Sequence, residues 1–125
     1  MGNRAVIVDK ETTKENADKK LGVYLHWYGS EDSVKEFLNV CKERKIRSVL
    51  TDSQYGWARL CQAFADCLSD VDIKAGYKDY AYETGIGIGL VSGLDCANGD
   101  NGVYYIDENF DIVNHTDGKE LEDEK

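Results

Sequence analysis

Proline is absent from all 125 residues. No cis-prolyl turn exists, and no helix is broken by a missing amide donor. Long hydrophobic runs are absent too. No stretch approaches the roughly 20 apolar residues of a membrane-spanning helix. The opening run Ala5-Val6-Ile7-Val8 is too short for a signal-peptide core. Together these absences lead to the expectation of a soluble, cytoplasmic protein with no membrane association. Cysteine is sparse: Cys41, Cys61, Cys67 and Cys96 form no C-x-x-C pair of the kind zinc and redox sites use. Cys41 and Cys61 fall on apolar helix faces and read as buried, reduced thiols. Cys96 sits in a polar loop and reads as an exposed one.

What is present suffices for one domain. Hydrophobic residues make up 42% of the chain, enough at this length for a core without metal or disulfide staples. The net charge is −9, unevenly spread. Residues 1–60 carry eleven Lys and Arg against nine Asp and Glu; residues 61–125 carry four against fifteen. The sequence is therefore electrically two-sided. Direct nucleic-acid binding is disfavoured, because phosphate contacts need a basic face. An acidic half can instead engage a basic protein surface, although a charge excess by itself only makes a well-solvated surface.

Along the chain, residues 4–8 read as a short apolar strand, and residues 9–20 as a polar, mobile connection. Leu21, Val23, Leu25 and Trp27 alternate with Gly22, Tyr24 and His26, a strand with one core face, antiparallel to the first. Ser30 caps a helix whose Val34, Phe37, Leu38 and Cys41 share a face. A second helix, capped by Thr51, Asp52 or Ser53, carries Trp57, Leu60, Cys61, Phe64, Ala65 and Leu68 and ends near Ser69-Asp70. Residues 71–83 read as irregular or a short strand, with a patch of Tyr77, Tyr80 and Tyr82. From Thr84 to Ser92, Ile86, Ile88 and Leu90 alternate with Gly85, Gly87 and Gly89; such strand glycines mark close approach of another backbone, ring or ligand. After a turn-rich loop, Val103–Ile106 and Phe110–Val113 read as a hairpin joined by Asp107-Glu108-Asn109. The expectation is an α+β fold: a mostly antiparallel sheet of about five strands with two helices on one face. Residues 1–115 form the domain and 116–125 a flexible acidic tail.

No catalytic or cofactor motif stands out. The glycine run lacks the G-x-G-x-x-G spacing between strand and helix that dinucleotide binding needs. Asp95, Asn98, Asp100 and Asn101 carry oxygen donors, but Ala97 and Gly99 break the EF-hand spacing, and turn chemistry accounts for them. No metal or cofactor is expected. Two surfaces remain as candidates. One is an acidic set for protein binding, Asp95, Asp100, Asp107, Glu108 and Asp111. The other is an aromatic pocket for a nucleotide-like ligand, formed by Tyr28, Tyr55, Trp57, Arg59 and Gly87, with a homo-oligomer interface as one setting; Tyr, Trp and Arg are common anchors of binding surfaces. Trp27 and Trp57 also read as core anchors. A third reading, a small hydrolase, would use His26 or Cys96, which nothing in the sequence brings together.

Several segments carry a resemblance: Gly2-Asn3-Arg4-Ala5-Val6-Ile7, Tyr24-Leu25-His26-Trp27-Tyr28-Gly29-Ser30 with Asp32-Ser33-Val34, Tyr55-Gly56-Trp57-Ala58-Arg59-Leu60, and Asp100-Asn101-Gly102-Val103-Tyr104. Over residues 2–114 the chain resembles small uncharacterised proteins of phages and prophages in Gram-positive bacteria. That group has no assigned activity, so no functional residue carries over. The resemblance implies a context in which small acidic proteins counter host defences by binding, and hence a non-enzymatic inhibitor acting in the host cytoplasm.

Overall fold

The computed structural model describes residues 4–74, 76, 87–92 and 100–121, the side chains of 71–73 excepted. The chain has an α+β fold built on a five-stranded mixed sheet. The strands are β1 (Ala5–Asp9), β2 (Leu21–Leu25), β3 (Ile88–Ser92), β4 (Val103–Ile106) and β5 (Ile112–Thr116), in the order β3-β2-β1-β4-β5. Three of the four pairings are antiparallel, and β1 with β4 is parallel. Every residue of β1 is buried, as expected of a central strand covered on both faces.

The helices α1 (Glu31–Glu43) and α2 (Ser53–Lys74) cover one face. Ser30 Oγ accepts the Ser33 amide at the start of α1, with Glu31 and Asp32 in the first turn where the helix dipole favours acid. Val34, Phe37, Leu38 and Cys41 of α1 meet Trp57, Leu60, Phe64 and Leu68 of α2 over Ala5, Ile7, Val23, Leu25, Tyr104 and Ile106 of the sheet. The Phe37 and Phe64 rings lie edge to face, centroids 5.4 Å apart. Burial pushes the Cys41 thiol up to about 12, so it stays protonated in this core. The α2 helix runs beyond Asp70 to Lys74.

The opposite face has a cover of its own, against expectation. Val6, Val8, Val103 and Tyr105 project there, joined by Ala17 and Leu121. Residues 9–20 are therefore not a free connection. Asp9, only 2% exposed, accepts the Glu11 amide at 2.8 Å and pairs with Lys20 at 3.2 Å. Asn16 closes the loop by accepting from the Thr13 amide and donating to the Glu11 carbonyl. A short 3-10 helix, Ala17–Lys19, then buries Ala17 against the sheet. Residues 116–121 are likewise no tail: Thr116 ends β5, and a 3-10 turn over Lys119–Leu121 buries Leu121. Leu121 docks this charged segment, and Glu120 fixes it by accepting from the Tyr105 and Thr116 hydroxyls.

The Leu21–Trp27 alternation also fails at both ends. The strand stops at Leu25, and Tyr28 takes a positive φ of 60° that turns the chain away. Trp27 is left 42% exposed and Leu21 43%. The tyrosine patch at 77–82, Gly85, Ile86 and the 93–99 loop lie outside the described residues.

Gly56, in the first turn of α2, faces the chain before it. A Cβ there would sit 2.6 Å from the Ser48 carbonyl oxygen and 2.7 Å from the Val49 nitrogen. On helix propensity alone, Gly56→Ala would stabilise by up to about 1 kcal/mol. We expect instead a net loss of about 1–2 kcal/mol, because backbone must move to admit the methyl group. Urea unfolding measures the sign, and a gain would show that the 48–49 connection yields freely.

Candidate functional site

The acidic set does not gather into one patch. Asp100 lies before β4, whereas Asp107, Glu108 and Asp111 lie in the turn after it. Asp95 is outside the described residues. Asp100 Oδ2 accepts from both the Arg4 Nε and the Arg4 amide, each at 3.0 Å. Those bonds, the side-chain one first, hold its carboxyl below the ordinary carboxylate range.

The β4–β5 turn is the better defined element. Asp107 Oδ1 accepts the amides of Asn109 and Asp111, both at 2.9 Å. The Asp107 amide donates to the Asp111 carbonyl, and the Phe110 amide to the Asp107 carbonyl. Phe110 takes a φ of 62° and buries its ring in the helix-side core. This leaves Glu108 and Asp111 about half exposed at the tip, at 48% and 53%.

Both tip acids have basic neighbours from the other half of the chain. Lys10 Nζ lies 3.0 Å from Glu108 Oε2, and Lys42 pairs with Asp111. The Glu108 backbone amide, and then Lys10, hold the Glu108 carboxyl below its ordinary value. With Arg4–Asp100 and Arg44–Asp66, four cations of residues 1–60 thus meet four acids of residues 61–125 among the described residues. The two-sided charge of the sequence is partly stitched together in space.

The aromatic pocket is not assembled as expected. Trp57 is 2% exposed and belongs to the core. Tyr55 is 53% exposed, with the Arg47 guanidinium 5.0 Å above its ring. Arg59 donates to Gln62 at 3.3 Å on the same helix. Tyr28 packs partly buried against the helix-side core. Gly87 does mark a close approach, as its position suggested: a Cβ would stand 2.9 Å from both His26 Cβ and Trp27 Cδ1. The side chains it admits belong to its own chain.

His26 Nδ1 lies 2.7 Å from the Tyr24 hydroxyl, and its ring meets Trp27 edge-on. Cys96 is outside the described residues. His115 stacks on Tyr104 at 4.0 Å. No group of acids, histidines or cysteines suited to a metal ion occurs among the described residues, and no described helix is long and apolar enough to cross a membrane.

Among the described residues, two hollows lie near the Lys10 and Lys42 sides of the turn. One, of about 420 Å³, is lined by Lys10, Thr12, Thr13, Lys14, Asn114 and Glu120 among others. Partial burial pushes the Glu120 carboxyl up, but hydroxyls of Thr116 and Tyr105 donate to it and outweigh that, leaving it below the ordinary value. The second, of about 410 Å³, lies between Lys42, Lys45 and Ile46 on one side and Glu108–Asp111 on the other. Sequence reasoning missed the first hollow because its wall is the 9–20 segment. The signal for order there was Asp9 three residues before Thr12, the pattern of a side-chain-capped turn.

No protein-family model, curated protein or solved structure matches this chain.

The Arg4–Asp100 pair makes a titration prediction. The folded pKa of Asp100 lies below its unfolded value, so its contribution to stability is complete above the ordinary carboxylate pKa of about 4 and is lost as pH falls below that. Arg4→Met should raise the Asp100 pKa in a carboxyl-detected NMR titration. An unchanged value would mean that the Arg4 amide alone sets it.

Proposed function

We propose that this is a non-enzymatic, phage-type binding protein that inhibits a host nucleic-acid-directed defence nuclease through an acid-rich surface centred on the 107–111 turn. The observation that carries this reading is the construction of the turn. Backbone and side-chain bonds of Asp107 fix it in advance, with Glu108 and Asp111 held outward. A loop ordered before contact loses little entropy on binding. The net charge of −9 adds long-range attraction towards a basic nucleic-acid groove. Lys10 and Lys42 lower the local charge of the tip, and as exposed pairs they exchange readily for partner cations. In this reading the protein works in the cytoplasm of the host.

The test is capture from a Gram-positive host lysate, followed by affinity measurement on the purified partner. Affinity should fall about tenfold or more between about 0.05 and 0.5 M salt. Nucleic acid should compete, and the double variant Glu108→Lys/Asp111→Lys should bind at least about tenfold more weakly. Affinity indifferent to salt and to this double reversal would sink the proposal.

A second reading, sequestration of a small nucleotide signal, is favoured by the 420 Å³ hollow rather than by the aromatic set. Its volume is within the range of small-ligand sites, and Lys10, Lys14 and Thr13 offer cations and a hydroxyl to a phosphate. A thermal-shift screen with cyclic nucleotides should then raise Tm, and Lys14→Ala should remove the shift. No shift with any of them would end this reading.

A further inference from the structure

Among the described residues, three other than glycine take a positive φ: Tyr28, Lys45 and Phe110. Each carries the steric cost of the left-handed region. Tyr28 and Phe110 have a reason in the fold, since both pack in the helix-side core. Lys45, at a φ of 54°, has none. Its side chain is exposed, and among the described residues it makes no ion pair. Its neighbours Lys42, Arg44 and Arg47 pair with Asp111, Asp66 and Asp52.

The backbone around Lys45 sharpens the question. The Lys45 amide donates to the Lys42 carbonyl at 3.1 Å, and the Ile46 amide to the Cys41 carbonyl at 3.4 Å. These bonds close α1 in a Schellman motif, whose left-handed residue is usually glycine. The chain does place glycine at other positive-φ positions, Gly76, Gly102 and Gly118. Nor does the helix dipole require Lys45, because Lys42 already stands in the last turn of α1.

Lys45 lines the 410 Å³ hollow between the end of α1 and the 107–111 turn. One wall is cationic, with Lys42 and Lys45, and the other acidic, with Glu108 and Asp111. Ile46 and Phe110 add apolar surface. A pure anion such as phosphate would meet the acids, and a pure cation the lysines. An uncharged apolar molecule would strip water from four charges. A molecule with both charges on one carbon, beside an apolar group, suits all of the lining. The Lys42–Asp111 pair shows that opposite charges of the two walls come into contact here. That closeness matches an ammonium and a carboxylate on one α-carbon. The pair is 40% and 53% exposed, so its exchange for ligand charges costs little.

We propose that this hollow binds a free α-amino acid with an apolar side chain. The ligand ammonium pairs with Asp111, its carboxylate with Lys42 and Lys45, and its side chain covers Ile46 and Phe110. The volume is in the range of small-ligand sites. Lys45 is kept at the end of α1 for this contact, against the preference of the backbone. Amino-acid binding requires no host protein, so it stands or fails apart from the acid-surface reading.

L-leucine is the probe, titrated into the full isotope-labelled chain to about 20 mM and followed by amide NMR shifts. Shifts should concentrate at residues 41–46 and 108–111, with a dissociation constant of about 1 mM or below. N-acetyl-leucine lacks the ammonium and leucinamide lacks the carboxylate, and each should bind at least about tenfold more weakly. These analogues need no variant to fold. Lys45→Gly should raise Tm by about 2–4 °C while weakening leucine at least about fivefold. Absence of shifts over the whole range, shifts centred elsewhere, or either analogue binding as well as leucine would overturn the proposal. So would a Lys45→Gly variant that binds leucine unchanged, or one whose Tm falls, since Lys45 would then serve the fold itself.

Discussion

Burial of β1 on both faces is the constraint on which the rest of the structure depends. A strand whose five residues are all buried cannot leave either side of its sheet to water. The helices satisfy one side with Leu, Phe and Trp at helical spacing. The other side is covered by two segments poor in apolar residues, 9–20 and 117–121, each contributing one fully buried anchor, Ala17 and Leu121. Such thin covers need polar fixing. Asp9 provides it at the strand's own end, since a buried carboxylate is tolerable only with partners around it. Glu11, Thr12 and Lys20 are those partners.

The same segments decide what the surface offers. Parallel pairing of β1 with β4 brings Lys10 beside Glu108, and because 9–20 folds back on the sheet the lysine-lined hollow acquires a wall. Because Phe110 is anchored below the turn, the tip acids are presented in a fixed geometry. Exposed ion pairs contribute little to stability. Their role here is placement: they hold the 107–111 turn against both the first loop and the end of α1.

Much of the fold was legible in the sequence because periodicity reports burial. The α1 stripe, the Trp57-to-Leu68 face and the β4–β5 hairpin are all visible as spacing, and their grouping gives the α+β class. What escaped was set by tertiary contact. Asp9, Thr12 and Ala17 are buried inside a stretch that reads as solvent-facing, and Leu121 lies within a run of charge. Trp27 looked like core by alternation but lies past the end of β2 at Leu25 and is left exposed. Asp107 and Glu108 were legible as turn residues, whereas Asp111 read as part of the second strand and lies in the turn. Their basic partners, separated by up to 98 positions as for Lys10 and Glu108, leave no local trace.

The parallel β1–β4 pairing also sets an order of events. Val6 meets Val103 and Asp9 meets Ile106, across almost the whole chain. Contacts of such sequence separation close late and slow folding. During synthesis β1 and β2 emerge first and can pair, but the inner edge of β1 stays open until the ribosome has delivered β4. For that interval a strand buried along its whole length in the native fold is an unfinished edge, exposed to other nascent chains and to chaperones. The first strand made is among the last to be enclosed.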